Sequence, residues 1–170
     1  SLNHLSDKFN IKYCAIYVVP GKQKLVDYYF ELVPLPRYFQ WNVFNHTTLE
    51  KACFDIDGVL CLDPTLEQND DGEKYLDFIL NAAPLYIPGC KIGTIVTSRL
   101  EKYRKPTETW LKANNIKYNE LVMLDLPNME ARQKANNHGD HKAKAYMKKP
   151  YVLFIESDYA QALEINRISK

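Results

Sequence analysis

Short, uninterrupted apolar runs recur along the later part of the chain and predict buried β-strands. They cover Lys51–Asp57, Lys91–Ser98, Asn119–Leu124 and Pro150–Ser157. Runs of this length that are apolar throughout are typical of strands buried on both faces of a parallel sheet. We therefore predict four such strands.

The segments between and after these runs have helical spacing of apolar residues. We predict helices over Asp71–Tyr86, Pro106–Asn115, Asn128–Lys149 and Asp158–Lys170. Pro106 suits the first position of its helix, and the third helix should break near Asn137 and Gly139. Strands that alternate with helices predict an α/β fold, a Rossmann-like parallel sheet with helices on both faces.

Residues 1–48 have a different pattern and form a separate β-rich segment in this interpretation, with 49–170 as the α/β domain. Lys12–Pro20 is rich in β-branched and aromatic residues and predicts a strand. Lys24–Val33 fits a second strand or a short helix. Pro34–His46 begins with two prolines, so we predict extended backbone there.

Composition and charge exclude several classes of protein. The net charge of +1 is too small for nucleic-acid binding by bulk charge, so we do not expect a nucleic-acid partner. No apolar run approaches the roughly 20 residues that cross a bilayer, and no membrane partner is expected. The four cysteines form no CxxC pair, and we interpret them as reduced thiols of a cytoplasmic protein.

Polar residues with complementary chemistry follow the predicted strands. The carboxyl ends of parallel strands meet at one edge of a sheet, where ligands bind. Acids, hydroxyls and a lysine therefore converge there: Asp55, Asp57, Thr97, Ser98, Arg99, Lys142 or Lys144, Glu156 and Asp158.

Such a set can carry out phosphoryl transfer. A carboxylate can attack phosphorus and form an aspartyl-phosphate, and a second carboxylate can protonate the leaving group and later activate water. Mg²⁺, held by oxygen ligands, would offset the negative charge. A hydroxyl and a lysine can hold the phosphoryl oxygens.

The motifs FDIDGVL, TIVTSRL and LFIESD, with a lysine before the last, resemble the haloacid dehalogenase-like superfamily, whose members are mostly phosphohydrolases. The resemblance extends from Glu50 to the end of the chain, and it implies that the sheet continues beyond Lys170. Only a loop and one helix separate Asp57 from Thr97, so the cap is small or absent and the site open.

By this resemblance Asp55 is the nucleophile and Asp57 the general acid/base. Thr97 is the phosphate-binding hydroxyl and Lys142 the charge-balancing lysine, with Lys144 as its rival. Ser98 and Arg99 are the neighbouring candidates for substrate contact.

The resemblance also implies a Mg²⁺ site made by Asp55, the Asp57 carbonyl and Glu156, with Asp158 as a further candidate. The last motif departs from the family pattern, which often has two adjacent aspartates where this chain has Glu156-Ser157-Asp158.

Longer stretches resemble a hydrolase-like domain that is attached to phosphoribosyltransferase-type sequences. In that arrangement residues 1–48 resemble the tail of the transferase part, but the phosphoribosyl-diphosphate loop is not found in this sequence. A phosphoribosyltransferase domain or subunit is therefore an expected partner, and a small phosphorylated metabolite or nucleotide the expected substrate.

Two other functions stay open at this stage. One is a non-catalytic domain that binds a phosphorylated ligand or regulates the transferase. The other is a nucleic-acid end phosphatase, because TSRLEKYRKPTETWL resembles the phosphatase part of polynucleotide kinases.

Two further polar segments lie near these motifs. His138 and His141 are interpreted as residues of a polar loop. The acidic run that begins at Asp63 is interpreted as a solvated flap, with the alternative that it faces the substrate.

Overall fold

The computed structural model describes residues 9–35, 37–39 and 42–170. The chain forms two compact units, Ser1–Gln40 and Trp41–Lys170. Among the residues that the structure describes, no helix combines the length and apolar character needed to cross a membrane.

The first unit is built on two parallel strands. β1 (Cys14–Val18) pairs with β2 (Tyr28–Leu32), and Cys14 lies opposite Tyr28. A 3-10 turn at Gln23–Leu25 lies between them. The segment that fitted either a strand or a short helix is thus a 3-10 turn followed by a strand.

The predicted extended conformation of Pro34–His46 is wrong in its last part. Val43–Asn45 forms a 3-10 turn, in which the His46 N–H donates to the Val43 carbonyl at 3.2 Å. Pro36, Gln40 and Trp41 lie outside the described residues.

A four-stranded parallel sheet organises the second unit and confirms the predicted α/β class. Its strands are β3 (Ala52–Phe54), β4 (Ile92–Leu100), β5 (Tyr118–Leu124) and β6 (Leu153–Ile155). They run in the order β5-β4-β3-β6. β3 therefore lies between β4 and β6, and all three of its residues are fully buried.

In the part of this unit that the structure describes, five helices connect or follow these strands. They are α1 (Glu73–Asn81), α2 (Arg104–Ala113), α3 (Met129–Ala135), α4 (His138–Met147) and α5 (Tyr159–Ile168). α1 packs against α2, and α4 packs against α5.

One predicted helix boundary is confirmed by the structure, and another is wrong. The break between α3 and α4 lies where it was predicted, and Asn136 ends α3 in the left-handed conformation with φ 41°. Pro106 is the third residue of α2 rather than the first, because a 3-10 turn at Glu101–Tyr103 runs directly into the helix.

The core of this unit explains why the helices form where they do. Tyr75, Phe78 and Ile79 are spaced along one face of α1 and are buried. Trp110 of α2 is also buried, and its indole N–H donates to the Ala82 carbonyl at 2.8 Å. These contacts fix the helices beside the sheet edge where the polar residues gather.

Candidate functional site

An open cleft of about 510 Å³ lies at the carboxyl ends of the central strands. Its walls come from residues after β3 and β6, from Ser98 near the end of β4, from the loop before α1, and from α1, α3, α4 and α5. The lining residues are Asp55, Asp57, Asp63, Pro64, Asn69, Tyr75, Ser98, Arg132, His138, Lys142, Glu156, Ser157, Asp158 and Gln161.

Asp55 lies at the bottom of this cleft, directly after β3. Its backbone N–H donates to the Ile155 carbonyl of β6 at 3.0 Å, which continues the strand pairing to this residue. Its carboxylate accepts from the Ile56 N–H at 2.7 Å and from Lys142 Nζ at 2.6 Å. The sheet itself therefore fixes the position of the carboxylate.

Of the two candidate lysines, Lys142 lines the cleft, whereas Lys144 is exposed and pairs with Asp140 outside it. Only 1 % of Lys142 is exposed. Its Nζ donates to Asp55, to Glu156 Oε2 and to Gln161 Oε1, the last at 2.8 Å. The ammonium group is thus held by two carboxylates and an amide oxygen.

Burial and crowding of acids shift the ionisation of this cluster. Burial raises the pKa of Asp55 to about 7; Lys142 opposes this shift, and Glu156 and Asp57 add to it. Burial works to lower the pKa of Lys142, but Asp55 and Glu156 outweigh it and the pKa is raised. Burial and the neighbouring acids also raise the pKa of Asp63. The cleft therefore has an excess of negative charge.

Asp57 is paired with a buried arginine. Arg99 Nη2 lies 2.6 Å from Asp57 Oδ1, and Arg99 Nε lies 3.1 Å from Oδ2. Arg99 is 1 % exposed, and Asp57 holds its pKa above the usual value even though burial opposes this. Arg99, the predicted candidate for substrate contact, holds Asp57 with its side chain and is not among the described residues that line the cleft.

The predicted phosphate-binding hydroxyl, that of Thr97, is not among the described residues that line the cleft. Thr97 is fully buried, and its Oγ1 accepts from the Arg99 N–H at 3.2 Å. Ser98, the next residue, lines the cleft, and its Oγ is buried without a hydrogen-bond partner. The pairing of β4 with β5 is irregular between Val96 and Leu100, the stretch that decides which of these two side chains faces the cleft.

The acidic segment that follows β6, Glu156 to Asp158, lines one side of the cleft. Glu156 Oε1 accepts from the Asp158 N–H at 3.0 Å. Asp158 caps α5, and its carboxylate accepts from the Gln161 N–H at 2.9 Å. Both predicted acids thus line the cleft.

Gly58 allows the segment with Asp55 and Asp57 to lie close to the segment from Glu156 to Asp158. Ser157 Oγ donates to the Asp57 carbonyl at 3.3 Å. Gly58 has φ 72°, and a Cβ at this position would overlap the Ser157 side chain. A glycine is therefore required here both for its backbone angle and for its lack of a side chain.

Two basic residues that line the cleft, Arg132 and His138, were not predicted as site residues from the sequence. Arg132 of α3 donates to the Ser98 carbonyl at 3.4 Å and to Asn69 Oδ1 at 3.2 Å. His138 is the first residue of α4 and not a loop residue. Its position four residues before Lys142 was the one available signal, because residues four apart share a helix face.

The oxygen atoms that line the cleft are of the chemical type that binds a hard divalent cation. Five carboxylates line the cleft, from Asp55, Asp57, Asp63, Glu156 and Asp158, against the cationic side chains of Lys142 and Arg132. Carboxylate oxygens are the ligands that Mg²⁺ prefers. Within the described ranges, no three His, Cys, Asp or Glu residues are already grouped as metal ligands.

Comparisons with protein-family models, curated proteins and solved structures found no match for this chain.

Proposed function

We propose that this chain is a Mg²⁺-dependent phosphohydrolase of the haloacid dehalogenase-like type, which cleaves a phosphate monoester through an aspartyl-phosphate at Asp55. The observation that carries the proposal is the Asp55 carboxylate, fixed in a cleft and contacted by Lys142 Nζ at 2.6 Å. The substrate class is a small phosphorylated metabolite or nucleotide.

The residues of the cleft have separate roles in this proposal. An Asp55 oxygen attacks phosphorus, and the bond from phosphorus to the leaving oxygen breaks. Asp57 protonates that oxygen and then takes a proton from the water that cleaves the aspartyl-phosphate. The second step releases inorganic phosphate and restores the free Asp55 carboxylate.

Mg²⁺ would be held by oxygen atoms from Asp55, the Asp57 carbonyl, Glu156 and Asp158, and it would supply positive charge beside the phosphoryl group. The excess of carboxylates in the cleft supports this assignment. We also propose a cytoplasmic location, which is supported by the four free cysteines, Cys14, Cys53, Cys61 and Cys90.

A second candidate function is supported by the pairing of Asp57 with Arg99. A buried guanidinium holds both oxygens of the Asp57 carboxylate, which restricts the movement that a proton carrier between leaving group and water would need. Such a site suits a non-catalytic domain that binds a phosphorylated ligand, including one that regulates a phosphoribosyltransferase partner.

The test is phosphate release from a panel of monoesters by the purified chain with Mg²⁺. The panel includes p-nitrophenyl phosphate, sugar phosphates and nucleoside monophosphates. We expect Asp55→Asn to lower kcat by about 10³-fold or more, because Asn cannot form the acyl-phosphate. Removal of Mg²⁺ with EDTA should abolish turnover of the wild type.

Asp125→Asn is the matched control, since Asp125 is exposed and lies outside the cleft. It should retain wild-type turnover. The proposal fails if the wild type releases phosphate from no monoester, or if Asp55→Asn is as active as the wild type. A crystal with Mg²⁺ and BeF₃⁻ separates the two candidates, because a complex bonded to Asp55 supports catalysis and ligand binding without such a complex supports the second function.

A further inference from the structure

We infer that Arg132 is the side chain that binds the phosphoryl oxygens in this cleft, and that Lys142 serves to hold the carboxylates of Asp55 and Glu156. This inference rests on the proposed phosphoryl site. It assigns a substrate-binding role to a residue outside the motifs that suggested the function.

Lys142 has no donor left for a ligand in the described structure. An ammonium group has three N–H donors. Lys142 Nζ donates to Asp55 Oδ2, Glu156 Oε2 and Gln161 Oε1. A phosphoryl group that enters the cleft must therefore obtain its hydrogen bonds from other residues.

Arg132 has both charge and donors to offer. Its partners are neutral: the Ser98 carbonyl, the Asn69 amide oxygen and the Tyr75 hydroxyl. Within residues 9–35, 37–39 and 42–170, no carboxylate forms an ion pair with it. A guanidinium has five N–H donors, so about two remain for an anion. Arg99 and Lys142, in contrast, are already neutralised by acids.

The position of Arg132 is fixed before any ligand arrives. α3 begins at Met129, whose N–H donates to Asp71 Oδ2 at 3.0 Å. Asp71 is itself held by Lys102 Nζ at 2.9 Å. A guanidinium that is held in place in this way loses less entropy when it binds an anion.

Unpartnered polar atoms lie next to Arg132. Ser98 Oγ, in the residue whose carbonyl Arg132 contacts, is buried with no partner, and so is His138 Nδ1. Buried polar atoms without partners are rare and costly. A tetrahedral oxyanion has several acceptor oxygens, so it can bind the planar guanidinium and the Ser98 hydroxyl together.

The experiment is isothermal titration of the full chain with inorganic phosphate in the presence of Mg²⁺. We expect Arg132→Gln to raise the Kd for phosphate about 10- to 100-fold, because a charge-assisted hydrogen-bond pair is lost. Arg132→Lys should give an intermediate Kd, since lysine keeps the charge but not the planar fork. Arg167→Gln is the matched control, as Arg167 is exposed and does not line the cleft.

The inference is overturned if the wild type binds no phosphate, or if Arg132→Gln binds it as tightly as the wild type and Arg167→Gln do. Circular dichroism of each variant establishes that it is folded, and Arg132→Lys provides a second folded variant. Titration of Asp55→Asn separates this inference from the proposed hydrolysis. A Kd that depends on Arg132 without any turnover supports the inference alone, whereas unchanged turnover by Arg132→Gln supports hydrolysis alone.

Discussion

The ion pair between Asp57 and Arg99 shows how strongly one buried contact affects this site. The Arg99 side chain has no solvent exposure, whereas that of Asp57 is 20 % exposed and faces the cleft. Cys61 lies beside both, with its Sγ 3.4 Å from Asp57 Oδ1 and 3.4 Å from Arg99 Nη2. The guanidinium therefore determines the orientation of the Asp57 carboxylate.

Replacing Arg99 with Met should lower the free energy of unfolding by about 3 kcal/mol, because it leaves Asp57 without its partner in a largely buried place. Urea unfolding measures this loss.

The double variant Arg99→Met/Asp57→Asn is the matched control for this prediction. It removes both charges, so it should recover part of the stability that the single variant loses. Equal free energies of unfolding for Arg99→Met and the wild type would contradict the interpretation.

The sequence predicted most of these site residues but not their individual roles. Asp55, Asp57 and Glu156 follow apolar strands, and this pattern was sufficient to place them at the cleft. Which of Thr97 and Ser98 faces the cleft depends on the irregular pairing of β4 between Val96 and Leu100, which the apolar pattern does not reveal. Arg132 comes from a separate helix, and no periodic pattern connects it with the strand ends.

For a whole strand, β3 likewise shows which features the sequence predicts and which it does not. Its apolar character predicted a buried strand, and the structure places it between β4 and β6. The sequence did not show how closely β4 approaches it. Gly93 of β4 has no side chain to separate the two backbones, and a Cβ there would lie 2.5 Å from the Glu50 carbonyl oxygen and 2.8 Å from that of Ala52.

Gly93→Ala should therefore lower the free energy of unfolding by about 3 kcal/mol, because the added methyl group meets backbone atoms that cannot move independently. A thermal or urea unfolding curve measures the loss.

Gly89→Ala is the matched control for this variant. Its Cβ would meet only the end of the Asn45 side chain, which can rotate away. We expect a loss below about 1 kcal/mol. Similar losses for the two variants would show that β3 and β4 are not packed as closely as described.

The charge of the cleft affects the stability of the whole molecule. Burial raises the pKa of Asp55 from its ordinary 3.8 to about 7. Between these two pH values the folded chain holds a proton that the unfolded chain has lost. The free energy of unfolding should therefore fall as pH rises from about 4 to 7, and this contribution should be constant above pH 7.

This pH dependence can be measured by urea unfolding of metal-free protein in EDTA. The wild type should lose up to about 1.4 kcal/mol for each pH unit relative to Asp55→Asn, because asparagine resembles the protonated acid and does not titrate. Asp55→Asn should thus be at least as stable as the wild type at pH 8. Parallel pH profiles of the two proteins would contradict the raised pKa.

The place of β3 in the sheet also has a consequence for synthesis of the chain on the ribosome. Residues emerge in order, yet the Asp55 N–H pairs with the carbonyl of Ile155, which lies one hundred residues later. Until then β3 presents an open, apolar edge to other nascent chains. The segment around Ile155 thus both completes the acid cluster and covers an apolar edge that stays open until this segment emerges.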